Sequence, residues 1–499
     1  MRSASLIVDP AFRIGAVDPR LYGSFVEHLG RCVYQGIFEP GHPSADENGF
    51  RRDVAELVRG LGVPIIRYPG GNFVSAYNWE DGIGPVHDRP ARIDLAWRSI
   101  ETNRVGLDEF QRWAATVNAE TMMAVNLGTR GIDEARALVE YCNHPSGTAW
   151  SDRRRANGAA EPYGIKVWCL GNEMDGPWQI GHKTALEYGR LAAEAGKAMR
   201  LVDPGVELVI SGSSHSRMPT FGTWERIALT EAYDTVDHIS MHSYYQQHGD
   251  DRDSFLAAAV DMDRFIDAIV ATADHVRAVG RHTKRLTIAF DEWNVWYQSR
   301  FPGEKNLPIA EAPPLLEDVY SVTDAVVAGN LLISLLRHAD RVRIGCQAQL
   351  VNVIAPIMTA PGGPAWRQTI YHPYALTSRY GRGTVLRVEA RSPAHETSAY
   401  GEVALLDAVA VLRDDGGLVV FAVNRDQGEE MAVDIDLRSL PRLVAGEHIT
   451  VADADPDAVN DQHNPERVTP RRLGDAKVDG GRLTVVLPPL SWNMVRLTL

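Results

Sequence analysis

The chain has 499 residues, 44% of them hydrophobic and 23% charged, and a net charge of −14. That length allows two or three domains around a large core, and acidic residues spread along the chain argue against a nucleic-acid or anionic-membrane partner. Four scattered cysteines without C-x-x-C spacing, and an opening "MRSASLIVDPAF" with no long apolar stretch, lead us to expect a reduced, cytoplasmic setting with no membrane anchor.

In chain order, residues 1–17 contain "ASLIVDPAF", a strand expected to join a later sheet. Residues 18–384 then alternate strand-like and helix-like segments. The strand candidates are 22–29, 64–71, 121–128, 165–173, 207–214, 237–245, 285–293 and 343–352. Most are short continuous apolar runs, as suits parallel strands covered on both faces. Between them lies helical periodicity: Phe50, Val54, Leu57, Val58 and Leu61, closed by Gly62 and Pro64, then Leu107, Phe110, Trp113, Ala114 and Val117. "VVAGNLLISLL" at 326–336 is too short to span a bilayer and reads as a core helix, while "DRRRAN" at 152–157 reads as a solvated turn. Eight strand–helix units imply a (β/α)8 TIM barrel, and no Gly-rich dinucleotide turn supports an open doubly wound sheet.

From 385 to 499 helix signals nearly vanish. "EVALLDAVAVLRDDGGLVVFAVNRD" reads as two strands about an Asp-Asp-Gly-Gly turn, and Val495, Leu497 and Leu499 alternate onto one face. The expectation is a C-terminal β-sandwich, jelly-roll-like, which the first strand completes.

Catalytic groups of such a barrel come from the carboxyl ends of its strands. Those ends carry Glu27 and His28, then Arg67 with Gly70, Gly71 and Asn72, then Asn126, then Asn172 and Glu173. Later ends carry His242, Tyr244 and Tyr245, then Asp291 and Glu292, then Gln347, Gln349 and Asn352. Turn chemistry accounts for Gly, Asn and Asp at such places. Glutamate has no turn propensity and is costly to bury unpaired, so Glu173 and Glu292 stand out. Trp97, Trp178, Trp293, Trp296, Tyr244 and Tyr245 lie nearby, and indole faces with amides and carboxyls suit a sugar. Two glutamates flanking a sugar hydrolyse glycosides; which of them is the acid is open at this level. His28, His182, His215, His242 and Glu173 are a conceivable metal set, but no H-x-x-x-H or H-E-x-x-H spacing supports one, and neither a metal nor a cofactor is expected. A non-catalytic sugar-binding protein would not require both carboxyls.

"CLGNEMDGPWQIGH" around Glu173 and "FDEWNVWY" around Glu292 resemble the α-L-arabinofuranosidases of glycoside hydrolase family 51. "FVEHLGRCVYQGIFEP", "RYPGGNFVSAYNWEDGIGP" and "ISMHSYY" match the same family, and the resemblance covers essentially the whole chain. It implies a retaining, exo-acting enzyme on arabinofuranosyl-containing oligo- or polysaccharides such as arabinan or arabinoxylan. Glu173 would be the acid/base, Glu292 the nucleophile, and Asn172 the residue holding the sugar 2-hydroxyl. Glu27, Gly71, Asn72 and Gln349 would bind the other hydroxyls, Tyr244 and His242 would support the carboxyls and sugar, and Trp97 and Trp296 would wall the pocket. A homo-hexamer is also implied. The competing reading is another retaining barrel glycosidase, an endoglucanase or β-xylosidase. Stretches 246–260 and 298–316 carry no motif and are expected to flank the leaving-group side.

Overall fold

The computed structural model describes residues 1–440 and 442–499, with only the backbone for Glu304. Eight parallel strands close into a barrel in the order Gly23–Phe25, Ile65–Tyr68, Glu120–Val125, Val167–Leu170, Glu207–Ile210, His238–Tyr245, Thr287–Val295 and Val342–Gln347. Each falls on one of the eight candidates read from sequence. The strands are short because helices cover the outer face and side chains fill the inner one, so only apolar runs satisfy both. Val167–Leu170 and Ile65–Tyr68 are buried at every position.

One strand is irregular where it matters. Ala289 pairs with Ser240 but Glu292 pairs with His242, so three steps along Thr287–Val295 match two along its neighbour. The extra residue is a β-bulge, which breaks the alternation of side chains and re-aims them. Asp291 and Glu292, consecutive in sequence, thereby reach the same interior partners, Arg67 and His242.

A nine-stranded sheet takes up the rest of the chain. It contains the first strand, Arg2–Ala16, which pairs antiparallel with Thr384–Arg391 and parallel with Met431–Asp436. The hairpin Leu406–Leu412 and Leu418–Asn424 turns at the Asp-Asp-Gly-Gly run. The sheet folds over a core of its own, in which Leu6, Val8, Val420, Val433, Leu483 and Val495 meet.

The helix Val322–Arg337 joins the two halves. Its residues from Val322 to Leu336 are all buried, and its few polar side chains, Thr323, Asp324, Asn330 and Ser334, are hydrogen-bonded. A Cβ on Gly329 would lie 2.2 Å from the Trp492 ring, so the helix backbone rests against the last strand, Ser491–Thr498. That strand is therefore buried on both faces: Val495 and Leu497 point into the sheet's own core, Trp492 and Met494 toward the barrel. Leu499, expected on the same inward face, lies beyond the strand and is 57% exposed. The "DRRRAN" segment also differs from expectation. It belongs to the helix Ala149–Ala156, and Arg154 is fully buried, donating to the carbonyls of Tyr141, His144, Pro145 and Ala159.

Among the described residues no helix is long and apolar enough to cross a membrane.

Candidate active site

A cavity of about 310 Å³ opens at the carboxyl ends of the barrel strands. Glu27, Gly71, Asn72, Trp97, Trp296 and Gln349 line it, together with Glu173, Tyr244 and Glu292. Asn172 and His242 are buried just behind this wall.

Glu292 is fixed from both sides. Its Oε1 accepts from Arg67 Nη1 at 2.6 Å and its Oε2 from the Tyr244 hydroxyl at 2.8 Å. Arg67 also donates through Nη2 to Asn172 Oδ1 at 2.7 Å and faces Asp291 through Nε at 3.1 Å. One buried guanidinium thus spaces three groups from the ends of two other strands, a use for which its planar fork is suited. Burial pushes the Glu292 carboxyl up, while His242 and Arg67 pull it back. Asp291, equally buried, is held below the usual carboxylate range by Arg67, His242 and Ser240.

Glu173 sits differently. It follows Gly171 and Asn172 in a tight turn and has φ of +43°, an unfavourable backbone for a side-chain-bearing residue. The turn aims its carboxyl back over the barrel mouth. Its Oε2 accepts from Trp178 Nε1 at 2.7 Å, and its Oε1 lies 3.0 Å from His242 Nδ1. One oxygen of Glu173, one of Glu292 and a ring nitrogen of His242 all lie within 4.8 Å of one another. Burial opposes a charged His242, but Glu292, Asp291 and Glu173 outweigh it and push the imidazole up to about 10. The trio therefore sets an imidazole beside two carboxylates, each of which favours its charged form. The other histidines do not join it. His28 is buried between Glu101 and Tyr68, His182 is exposed, and His215 stacks on Trp178 at the rim.

Glu27 anchors the closed end. Phe73 N and Trp97 Nε1 donate to one of its oxygens at 3.0 and 2.8 Å, and Gln349 Nε2 to the other at 2.9 Å. Burial lifts its carboxyl to about 8 against the pull of the first two bonds. Gly71 is required here: its φ is +57°, and a Cβ would lie 2.3 Å from the Glu27 carboxyl. Asn72 accepts from Asn172 Nδ2 at 3.2 Å. Trp296 meets Tyr244 edge to face, with centroids 5.1 Å apart.

The remaining strand-end residues serve loops. Asn126 accepts from the backbone N–H of Gly128 and Thr129, Gln347 donates to Asn294, and Asn352 ties Arg31 to Thr359. Trp293 is buried away from the cavity. Sequence reasoning gave Arg67 and Asp291 no role and passed over Ser214 and Arg217, which also line the cavity, as do Gln298 and Phe301 from the stretch 298–316. The only signal for Arg67 was a cation inside an otherwise apolar strand.

Comparison with known proteins gives the family. Residues 57–265 match the model of the α-L-arabinofuranosidase 1 domain, and residues 291–491 that of the α-L-arabinofuranosidase C-terminal domain. An intracellular exo-α-(1→5)-L-arabinofuranosidase of Streptomyces lividans is 59% identical over 99% of this chain and 75% of its own length. The chain belongs to the α-L-arabinofuranosidases of glycoside hydrolase family 51. A family 51 α-L-arabinofuranosidase from Bifidobacterium longum superposes with a TM-score of 0.96 at 47% identity, covering both chains completely. The arabinose complex of the Thermotoga maritima α-L-arabinofuranosidase gives 0.89 at 34% identity, again over both whole chains. Like the rest of its family, the protein is a glycoside hydrolase, and the barrel with its β-sandwich is the family 51 architecture.

Proposed function

We propose that the protein removes terminal α-L-arabinofuranosyl residues by double displacement with retention. The observation that carries this reading is the Glu173–Glu292 pair, with carboxyl oxygens within 4.8 Å of each other at the cavity floor. Retaining glycosidases hold their carboxyls about 5–5.5 Å apart, whereas inversion needs about 6.5–9.5 Å to admit a water molecule.

In this reading Glu292 attacks the anomeric carbon. Arg67 and Tyr244 each hold one of its oxygens, which fixes the direction of attack. Glu173 protonates the departing oxygen and then activates water. Its link to Trp178 at the exposed rim puts it on the side where the leaving group departs. Glu27, Gly71, Asn72, Trp97, Trp296 and Gln349 enclose one furanose, which makes the action exo. Asn172, held by Arg67, meets the 2-hydroxyl, and His242, beside both glutamates, offsets the repulsion between them.

We assign the α-(1→5) linkage, since the relatives at 59% and 55% identity carry it in their names, although one from Bifidobacterium longum at 52% is named for α-(1→6). The word intracellular in the first two names supports a cytoplasmic location. A homo-hexamer is part of the proposal and rests on the family resemblance. So is a division of the chain into 18–384 as the catalytic unit and 1–17 with 385–499 as the sandwich.

The test is a panel of aryl glycosides. Turnover of the α-L-arabinofuranoside should far exceed that of the β-D-xylopyranoside and β-D-glucopyranoside. Faster turnover of either pyranoside would overturn the assignment.

A further inference from the structure

A second cavity, of about 230 Å³, lies beside the first and shares Arg217, Tyr244, Trp296 and Gln298 with it. Its far wall is Ser398, Ala399 and Tyr400, the tip of a hairpin that the sandwich half sends across the barrel mouth between strands Ala394–Thr397 and Gly401–Ala404. The tip is seated on the barrel. Ser398 donates to Asp251, and Ala399 N donates to Ser254 Oγ at 3.1 Å.

We propose that this cavity binds a neutral sugar of the leaving group, the one beyond the residue next to the cleaved bond. The proposal rests on the glycosidase reading above. Its direction follows from the first cavity, whose closed end is Glu27 with Trp97 and Gln349, leaving the Arg217–Gln298 side as the exit.

The lining chemistry suits a sugar. Among the described residues, the side chains of Arg217, His248, Gln298 and Tyr400 have no protein hydrogen-bond partner, so their donors and acceptors are open to hydroxyls. Tyr245, Phe255 and Tyr400 supply ring faces for sugar C–H groups. The cavity also gives the sandwich a part in substrate choice, since without its hairpin the site has no outer wall.

The experiment compares wild type with Tyr400→Ala and Ala399→Trp on three substrates: 4-nitrophenyl α-L-arabinofuranoside, α-1,5-arabinobiose and α-1,5-arabinotriose. Tyr400 and Ala399 touch only the second cavity, and Ala399 is exposed, so a larger side chain there fills space without disturbing a core. Wild type should prefer the trisaccharide to the disaccharide. Both variants should lose that preference, with kcat/KM on the trisaccharide falling about tenfold while the other two substrates change by less than about twofold. An unchanged trisaccharide preference, or an equal loss on all three substrates, overturns the subsite. Failure of wild type on the aryl arabinofuranoside would instead overturn the function proposed above.

Discussion

At the residue scale the site depends on charges that hold one another in place. His242 lies between Glu173, Asp291 and Glu292, and Arg67 packs against Asp291 and Glu292 from the opposite strand. Neither cation is worth burying alone, and neither carboxylate cluster is stable without them. This makes a pH prediction. The imidazole of His242 rises from its ordinary 6.5 to about 10 on folding. Its stabilising contribution is therefore fully present below pH 6.5 and is lost as pH climbs toward 10. The melting-temperature gap between wild type and His242→Asn should be widest near pH 6 and narrow steadily to pH 10. A gap that widens with pH would contradict the charged assignment. The place of the two glutamates at the barrel mouth was legible in the sequence, because turn propensity does not put glutamate at a strand end. Arg67 was not, because its role appears only when the barrel closes and brings two other strands to its guanidinium.

At the element scale, all eight barrel strands could be found from their apolar runs, because a strand covered on both faces has few polar options. The bulge at Phe290–Asp291 could not. It exists only as a mismatch with the neighbouring strand, and Asp291–Glu292 reads simply as a polar strand end. The loops 246–260 and 298–316 were equally opaque, since side chains that wait for a ligand follow no periodicity. The helix Val322–Arg337 shows the converse, its mainly apolar sequence matching burial from Val322 to Leu336. Its contact with Trp492 at Gly329 gives a sharp test. Gly329→Val forces the helix off the last strand and should destabilise the fold by about 1–3 kcal/mol, the usual cost of overpacking. Thermal or urea unfolding measures it, while activity on the aryl arabinofuranoside at low temperature should be retained. A variant as stable as wild type would mean that the helix and sheet do not pack this closely.

At the scale of the whole molecule, two cores cooperate in one site. The barrel supplies Glu173, Glu292 and the first cavity, and the hairpin Ala394–Thr397 and Gly401–Ala404 reaches back to wall the second. The first strand belongs to the sandwich although a complete barrel separates it from its partners in sequence. Its strand character was plain in the sequence, but its partners were not, because both pairings link it to residues more than 350 positions away. The account as a whole requires that the two carboxyls divide the reaction unequally, one as nucleophile and one as proton donor. The stereochemistry of azide rescue reads this directly on an activated aryl α-L-arabinofuranoside. Glu173→Ala still forms the covalent intermediate, and azide, needing no general base, should resolve it to the retained α-glycosyl azide. Glu292→Ala has no nucleophile, so azide can only attack directly and give the inverted β product. Inverted product from the Glu173 variant and retained product from the Glu292 variant would contradict the assignment.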